Sequence, residues 1–206
     1  MIDFIFDAET FGQNTRSCAV INFACTVFDT DRFTSDKPYT YDELLGQIKV
    51  FKLDVQDQVK NYGYIVEPSS LDFWAKADPE AKKQLKPTPN DLTLSTFCDK
   101  LIAYLNQYKI DYWWSRSNTF DPVILHRIGD DTGNTSKLDY KLKFWRVRDI
   151  RTFIDAKSNF SVNHNGFIPI DKAEWDAKFK LHDSKHDVVG DILRMQKIYR
   201  IENDLE

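Results

Sequence analysis

The first residues of the chain alternate between apolar and polar side chains. In the stretch DFIFDAE, Phe4 and Phe6 fall on one face of an extended backbone, and Ile5, Asp7 and Glu9 fall on the other. A period of two residues predicts a β-strand. One face of this strand therefore begins with an apolar residue and ends with two carboxylates.

Two more strands are predicted in the first quarter of the chain. Segment 17–29 carries apolar residues on both faces, which is typical of a strand that is covered on both sides. Segment 47–55 is rich in β-branched residues and alternates. Because the connections leave little room for long helices, the sheet is expected to start with three antiparallel strands.

The pattern changes to a helical period after this region. Ser69 or Ser70 is expected to cap a short helix, and Pro79 opens a second one. From Thr93 to Tyr108 apolar residues recur every three or four positions, which predicts an amphipathic helix. The remaining predicted elements are a strand at 111–117, a helix with Pro122 in its first turn, a strand at 144–150 and a final helix at 187–203.

Strands followed by a strand–helix alternation predict an α/β or α+β sheet with helices packed against it. The chain has 206 residues, of which 42% are hydrophobic, so a single domain spanning 1–206 is expected. No apolar run approaches the ~20 residues that cross a membrane, and the N-terminal apolar stretch is too short for a signal peptide. We expect a soluble cytoplasmic protein without membrane contacts.

The three cysteines form an odd number and contain no C-x-x-C spacing. This pattern argues against a disulfide framework and against a structural zinc site, and it fits a reducing compartment. Cys18 and Cys25 are expected to fill the core.

The net charge is −4, whereas proteins that coat duplex nucleic acid are usually basic. An enzyme that grips only the end of a strand is compatible with this charge. The one basic stretch, 141–151, interleaves lysines and arginines with Phe144 and Trp145. It is either a track for backbone phosphates or a solvated strand face with buried aromatic rings.

Three acidic segments have two interpretations each. Asp7 and Glu9 lie about 7 Å apart along one strand face, which is either merely exposed or a metal site. Asp121 stands where a strand gives way to a helix, so it is a capping acid or a ligand. His182 precedes the last predicted helix and Asp187 begins it. The two residues are either a loop histidine and a first-turn acid, or functional groups.

In their order and contexts, these segments resemble the DnaQ-like 3′–5′ exonucleases of the DEDDh group. That group is named for four acids and a histidine, which here are Asp7, Glu9, Asp121, Asp187 and His182. The tyrosine variant of the family has its tyrosine four positions before the last acid, where this chain has an aspartate. The histidine subtype is therefore the better match.

Neighbouring residues extend the resemblance over nearly the whole chain. The stretches SSLDFWAKADPEA and RDIRT are similar to a branch of small phage exonucleases and bacterial exoribonuclease-like domains. Phe73 precedes Trp74 where relatives often have a tryptophan pair, and Val188 stands where many have alanine.

The resemblance implies a ribonuclease H-like fold, with a mixed five-stranded sheet flanked by helices. It also implies two ions, Mg²⁺ or Mn²⁺, held by the four acids, since carboxylates are hard oxygen ligands. His182 would be the general base, and nearby carboxylates are expected to raise its pKa. His186 is expected on the surface, at the start of the last helix.

The implied partner is the 3′ end of single-stranded nucleic acid, with single-stranded DNA as the first expectation and RNA as the alternative. A non-catalytic binding module on the same fold is a further alternative, and a Ca²⁺-binding regulatory protein lacks the EF-hand spacing. No signal for an oligomeric state is present. The residues expected to contact substrate are Thr10, Phe11, Asn118, Phe120 and Trp74.

Overall fold

A computed structural model describes residues 1–77, 79–158, 164 and 166–206. A five-stranded sheet forms its centre, with the strands ordered 3-2-1-4-5 in chain numbering. The strands are β1 (Ile2–Thr10), β2 (Val20–Asp29), β3 (Lys49–Lys52), β4 (Trp113–Ser115) and β5 (Val147–Asp149).

The sheet is mixed. β1, β2 and β3 form an antiparallel unit, as their short connections predict, whereas β4 lies parallel to β1 and β5 parallel to β4. Parallel strands end at the same edge of a sheet, so the carboxyl ends of β1, β4 and β5 emerge together. This edge carries Asp7 and Glu9.

Helices cover both faces of the sheet. They are α1 (Tyr41–Gln47), α2 (Val55–Tyr62), α3 (Pro68–Lys76), α4 (Pro79–Lys83), α5 (Leu94–Leu105), α6 (Asp121–Asp131), α7 (Thr135–Lys141), α8 (Ile150–Lys157), α9 (Lys172–Lys178) and α10 (Ser184–Glu202). The expected α/β class, a mixed five-stranded sheet flanked by helices, is confirmed.

The alternation along β1 divides the core into two clusters. Phe4 and Phe6 pack with Phe97 of α5 in the cluster on one face. Ile5 packs with Ile192 of α10 in the cluster on the other face. Asp7 and Glu9 continue the Ile5 face, so they reach the end of the sheet beside α10. Cys18 and Cys25 are fully buried, as expected, and all three cysteines are free thiols.

The start of α3 differs from the expectation. Neither Ser69 nor Ser70 caps this helix, because it already begins at Pro68, with Glu67 at the N-cap. The fixed φ of proline suits the first helical turn. Ser70 lies inside the helix, and its hydroxyl donates to the Glu67 carbonyl at 2.6 Å. Several short helices had no sequence signal strong enough to predict them: α1, α2, α7, α8 and α9.

Most of the segment 144–150, which was predicted to be a strand, has a different structure. A 3₁₀ turn occupies Phe144–Arg146, and only Val147–Asp149 pair in the sheet. The turn carries its rings outward, so the interpretation of this stretch with buried aromatics is wrong. Phe144 is 79% exposed and Trp145 is 59% exposed. Among the described residues, no helix has the length and apolar character needed to cross a bilayer.

Candidate active site

Asp7 and Glu9 lie at the end of β1, in the centre of the sheet. Asp7 pairs with Ala24 and Glu9 with Asn22, and the register to β2 then shifts before Thr10. Both side chains are half-buried. The regular strand up to Glu9 explains why both carboxylates share one face, and the irregularity that follows ends the ladder beside them.

Asp187 approaches the same point from the last helix. It is in the first turn of α10, whose N-cap Asp183 accepts a hydrogen bond from the Lys185 amide. One carboxylate oxygen each of Asp7, Glu9 and Asp187 lies within 4.8 Å of the other two. Three of the four predicted acids thus converge, although Asp187 is far from the other two in sequence.

Asp121 is the first residue of α6, directly after the loop that leaves β4. It is 5% exposed, and the backbone amides of Ala8 and of Asp121 itself lie close enough to its carboxylate to oppose the rise in its pKa. This influence of Ala8 indicates that the Asp121 carboxylate lies next to β1, between the two strand acids. Asp121 is close enough to raise the pKa of Asp7, but it is not part of the three-residue cluster.

The electrostatics of the site are unfavourable without cations. Burial raises the pKa values of Asp7, Glu9 and Asp187 well above their usual range, and the charges of neighbouring carboxylates raise them further. Burial also raises the pKa of Asp121 to about 7. Hard oxygen donors that are crowded and partly desolvated suit divalent cations, which would replace the missing counter-charge.

A buried ion network that sequence reasoning missed supports Asp187 from behind. Asp191, one helical turn further along α10, accepts from Arg116 Nε at 3.1 Å and from Arg116 Nη2 at 2.5 Å. Arg194 Nη1 donates to the same carboxylate at 2.7 Å. The Arg116 guanidinium also lowers the pKa values of Asp7 and Asp187, so it partly compensates the site's negative charge. The i, i+4 spacing of Asp187 and Asp191 was the only sequence signal.

His182 precedes α10 in a left-handed backbone conformation, with φ of 61°. Its ring stands edge-on to the ring of Phe73, with centroids 4.9 Å apart. Burial lowers the pKa of His182 below its ordinary value of 6.5. The expectation that carboxylates raise this pKa is therefore wrong, because burial removes water from the ring and no carboxylate among the described residues offsets this effect.

Side-chain hydrogen bonds hold the His182 backbone. The Gln84 amide donates to the His182 carbonyl at 3.0 Å and also bonds to the Asn22 side chain. Asn22 in turn accepts from the Ser184 hydroxyl at 2.6 Å. This chain of bonds connects β2, the segment after α4 and the start of α10. It supports a conformation that costs energy in residues other than glycine.

His186 is not the surface residue that was expected. It is 7% exposed, and its Nδ1 lies 2.6 Å from the Tyr41 hydroxyl. The first turn of α10 packs against α1, so the residue before Asp187 turns inward. Nothing in the sequence around His186 indicated α1 as its partner.

The residues expected to contact substrate occupy two environments. Thr10, Asn118 and Phe120 are half-buried beside the carboxylates. Phe11 and Trp74 are 8% and 2% exposed, and the Trp74 indole donates to the Thr10 carbonyl at 3.1 Å. Base stacking needs an open ring face, so these two buried rings do not fit that role.

Phe73, at 46% exposure, is the aromatic ring that remains accessible next to His182. Helical geometry explains why Phe73 is exposed while Trp74 is buried, because consecutive residues of a helix point about 100° apart and only one of the two can face the core. The departure of this chain from the tryptophan pair of its relatives was the available signal.

Comparison with protein families decides how this arrangement is classified. Residues 2–189 match the family described as the 3′–5′ exoribonuclease Rv2179c-like domain. The chain belongs to this family. As an Rv2179c-like protein it is a 3′–5′ exonuclease, which confirms the enzyme class expected from the motifs.

Individual relatives agree with this assignment. The exodeoxyribonuclease of Enterobacteria phage T4 is 34% identical to this Rv2179c-like chain over 219 residues, covering 100% of this chain and 92% of the phage protein. Exonuclease I superposes with a TM-score of 0.62 and 16% identity, over 99% of this chain and 42% of its own.

A complex of E. coli exonuclease I with a dT13 oligonucleotide superposes with a TM-score of 0.62 and 14% identity, over 98% of this chain and 42% of that chain. The Rv2179c-like chain thus spans less than half of exonuclease I. At this identity the superposition shows a shared fold, and the expected DnaQ-like, ribonuclease H-like class is confirmed.

Proposed function

We propose that the protein removes nucleotides one at a time from the 3′ end of single-stranded DNA and releases nucleoside 5′-monophosphates. The observation that carries this proposal is the convergence of Asp7, Glu9 and Asp187 within 4.8 Å at the end of the sheet. His182, with a lowered pKa, precedes the helix that carries Asp187. In this proposal, the carboxylate cluster supplies the cation site and His182 supplies the base.

Mg²⁺ or Mn²⁺ is the proposed cofactor, as two ions. The donors are carboxylate oxygens, and this ligand type suits Mg²⁺ and Mn²⁺ better than it suits zinc. Asp7, Glu9 and Asp187 would hold the ions, together with Asp121 beside them. When bound, such a pair lowers the pKa of the attacking water and neutralises charge on the phosphate and the leaving oxygen.

His182 would accept the proton of the attacking water. A general base must be unprotonated before it acts. Because burial lowers the pKa of His182, the ring is already mostly neutral at pH 7. The Gln84 bond to its carbonyl fixes the backbone from which the ring projects.

DNA is favoured as substrate because the T4 relative, an exodeoxyribonuclease, is similar over the whole chain. RNA is the second candidate, supported by the description of the family as exoribonuclease-like. Recognition of the 2′-OH would distinguish them. A binding module without catalysis is disfavoured because all five chemical groups are present.

A single domain over 1–206 acting in the cytoplasm completes the proposal. The three cysteines are buried free thiols, which fits a reducing compartment.

The direct test uses single-stranded DNA and RNA of one sequence, labelled at the 5′ end, with Mg²⁺ or Mn²⁺. The expected product is a ladder that shortens from the 3′ end of the DNA and disappears in EDTA. Asp7→Ala should abolish it, and Asp99→Ala, which changes an exposed acid on α5, is the matched control. Intact substrates with both metals would reject the proposal, and a preferred RNA ladder would select the second candidate.

A further inference from the structure

A groove of about 480 Å³ runs beside the carboxylate site, between α6, α7 and β5. Asn118 and Pro122 line it, and these residues flank Asp121. Phe144, which precedes β5, lines it as well. Since β4 and β5 are parallel, residues after β4 and residues before β5 lie toward opposite ends of these strands. The groove therefore leads from the active site along the edge of the sheet.

Exposed aromatic rings lie around Phe144, the lining residue at the far end of this groove. Phe144 and Trp145 stand perpendicular to each other, with centroids 5.0 Å apart, and both are well exposed. Tyr140, on α7, is 72% exposed. The Lys143 ammonium lies 5.0 Å from the Tyr140 ring and 5.8 Å from the Trp145 ring. Proteins that bind single-stranded nucleic acid combine exposed rings, on which bases stack, with cationic groups that contact phosphates. A lysine among exposed rings offers both kinds of contact.

The local charge supports the same ligand. Segment 135–148 contains five lysines and arginines and one acid, although the whole chain carries −4. Arg146 and Arg148 donate to backbone carbonyls. Lys141 and Lys143 form no ion pair with a carboxylate in the described ranges. These two ammonium groups are the ones suited to phosphates.

Two acids are among the residues that line the groove. Asp130 on α6 forms an ion pair with His126 at 3.2 Å, and Asp139 belongs to α7. Lys141 and Lys143 alternate with the lining residues Leu142 and Phe144, so phosphates are expected along the rim of the groove at these lysines, with bases toward the rings.

We propose that this aromatic–lysine groove binds the nucleotides upstream of the 3′ end while the carboxylates act on the terminal one. The inference rests on the proposed exonuclease function, because it takes the same strand as its ligand. It assigns to Phe144, Trp145 and Lys143 a role in holding long substrates, separate from the chemistry.

The test measures binding without cleavage. Fluorescence anisotropy in EDTA compares labelled oligothymidylates of about 3 and about 12 nucleotides. We expect the longer probe to bind the wild-type chain more tightly. Trp145→Ala and Phe144→Ala should each weaken the longer probe by about 5-fold or more, and leave the shorter one unchanged.

The charge contribution is read from salt dependence. Lys143→Glu should reduce the slope of log affinity against log salt by about 0.7 for each phosphate that the lysine neutralises in the wild type. Lys60→Glu makes the same charge change on α2, by the opposite edge of the sheet, and should leave the slope unchanged. All of these side chains are at least partly exposed, and circular dichroism melts verify that the variants fold.

Equal binding of both probes, or variants that bind like the wild type, would overturn the inference. Self-association that is abolished by Trp145→Ala would also overturn it, since the surface would then join two copies of the chain. The two proposals fail separately. If these variants digest long substrates with Mn²⁺ as well as the wild type does, the groove proposal is rejected and the exonuclease proposal stands. If binding depends on probe length but no substrate is digested, the exonuclease proposal is rejected and the groove proposal stands.

Discussion

Asp121→Asn tests whether the site carboxylates oppose folding when no cation neutralises them. Burial raises the pKa of Asp121 from 3.8 to about 7. Such an acid keeps its proton in the folded chain at pH values where the unfolded chain has released it. Its stabilising contribution is complete below pH 3.8 and disappears as the pH rises through about 7.

The size of the effect follows from this pKa change. One pKa unit corresponds to about 1.4 kcal/mol, so ionised Asp121 lowers the free energy of unfolding by up to about 4 kcal/mol. This is a large part of the roughly 5–15 kcal/mol that stabilises a domain. Asparagine keeps the shape and one acceptor for the Ala8 amide while it removes the charge. We therefore expect Asp121→Asn to raise the free energy of unfolding by about 1–4 kcal/mol in EDTA near pH 8.

Urea titrations followed by circular dichroism measure this difference. The gain should shrink near pH 4.5, and Mn²⁺ should stabilise the wild type more than the variant. Asp99→Asn removes an exposed acid from α5 and should change little under any condition. A variant no more stable than the wild type at pH 8 in EDTA, or an equal gain at both pH values, would refute the reasoning.

Three further predictions concern the surroundings of the carboxylate cluster. His182→Ala should lower kcat by about 10²- to 10⁴-fold while calorimetry still detects Mn²⁺ binding; a variant that no longer binds Mn²⁺ would argue for a structural role. Because burial lowers the pKa of His182, kcat of the wild type should rise with pH through a midpoint below 6.5, and a midpoint above 7 would contradict this base. Asp191→Asn removes the charge of the buried carboxylate that accepts from Arg116 and Arg194 and should lower the free energy of unfolding by about 3–5 kcal/mol in urea titrations; a decrease under about 1 kcal/mol would show a solvated network.

The sequence was sufficient where the physical signal is local. The alternation along β1 has a period of two, so it established which face carries Asp7 and Glu9. The helix expected from Thr93 onward begins at Leu94, with Thr93 as its N-cap, and Pro122 lies in the first turn of α6 as predicted. Proline and threonine restrict or bond the backbone within one turn, so such boundaries are readable without knowledge of the fold.

Features that depend on partners distant in sequence could not be predicted. Arg116 and Asp191 are 75 residues apart, and only the docking of α10 beside β4 brings them together. His186 became a core residue through Tyr41, which belongs to a helix without a clear pattern of its own. The exposure of Phe144 depends on a 3₁₀ turn in a segment whose composition favours a strand.

The carboxylate cluster unites the first strand of the chain with its last helix. A chain still being synthesised carries Asp7 and Glu9 early, but it lacks Asp187 until the residues of α10 have been made. These three carboxylates can converge only after α10 has docked against the sheet, so any activity that depends on the cluster requires this docking.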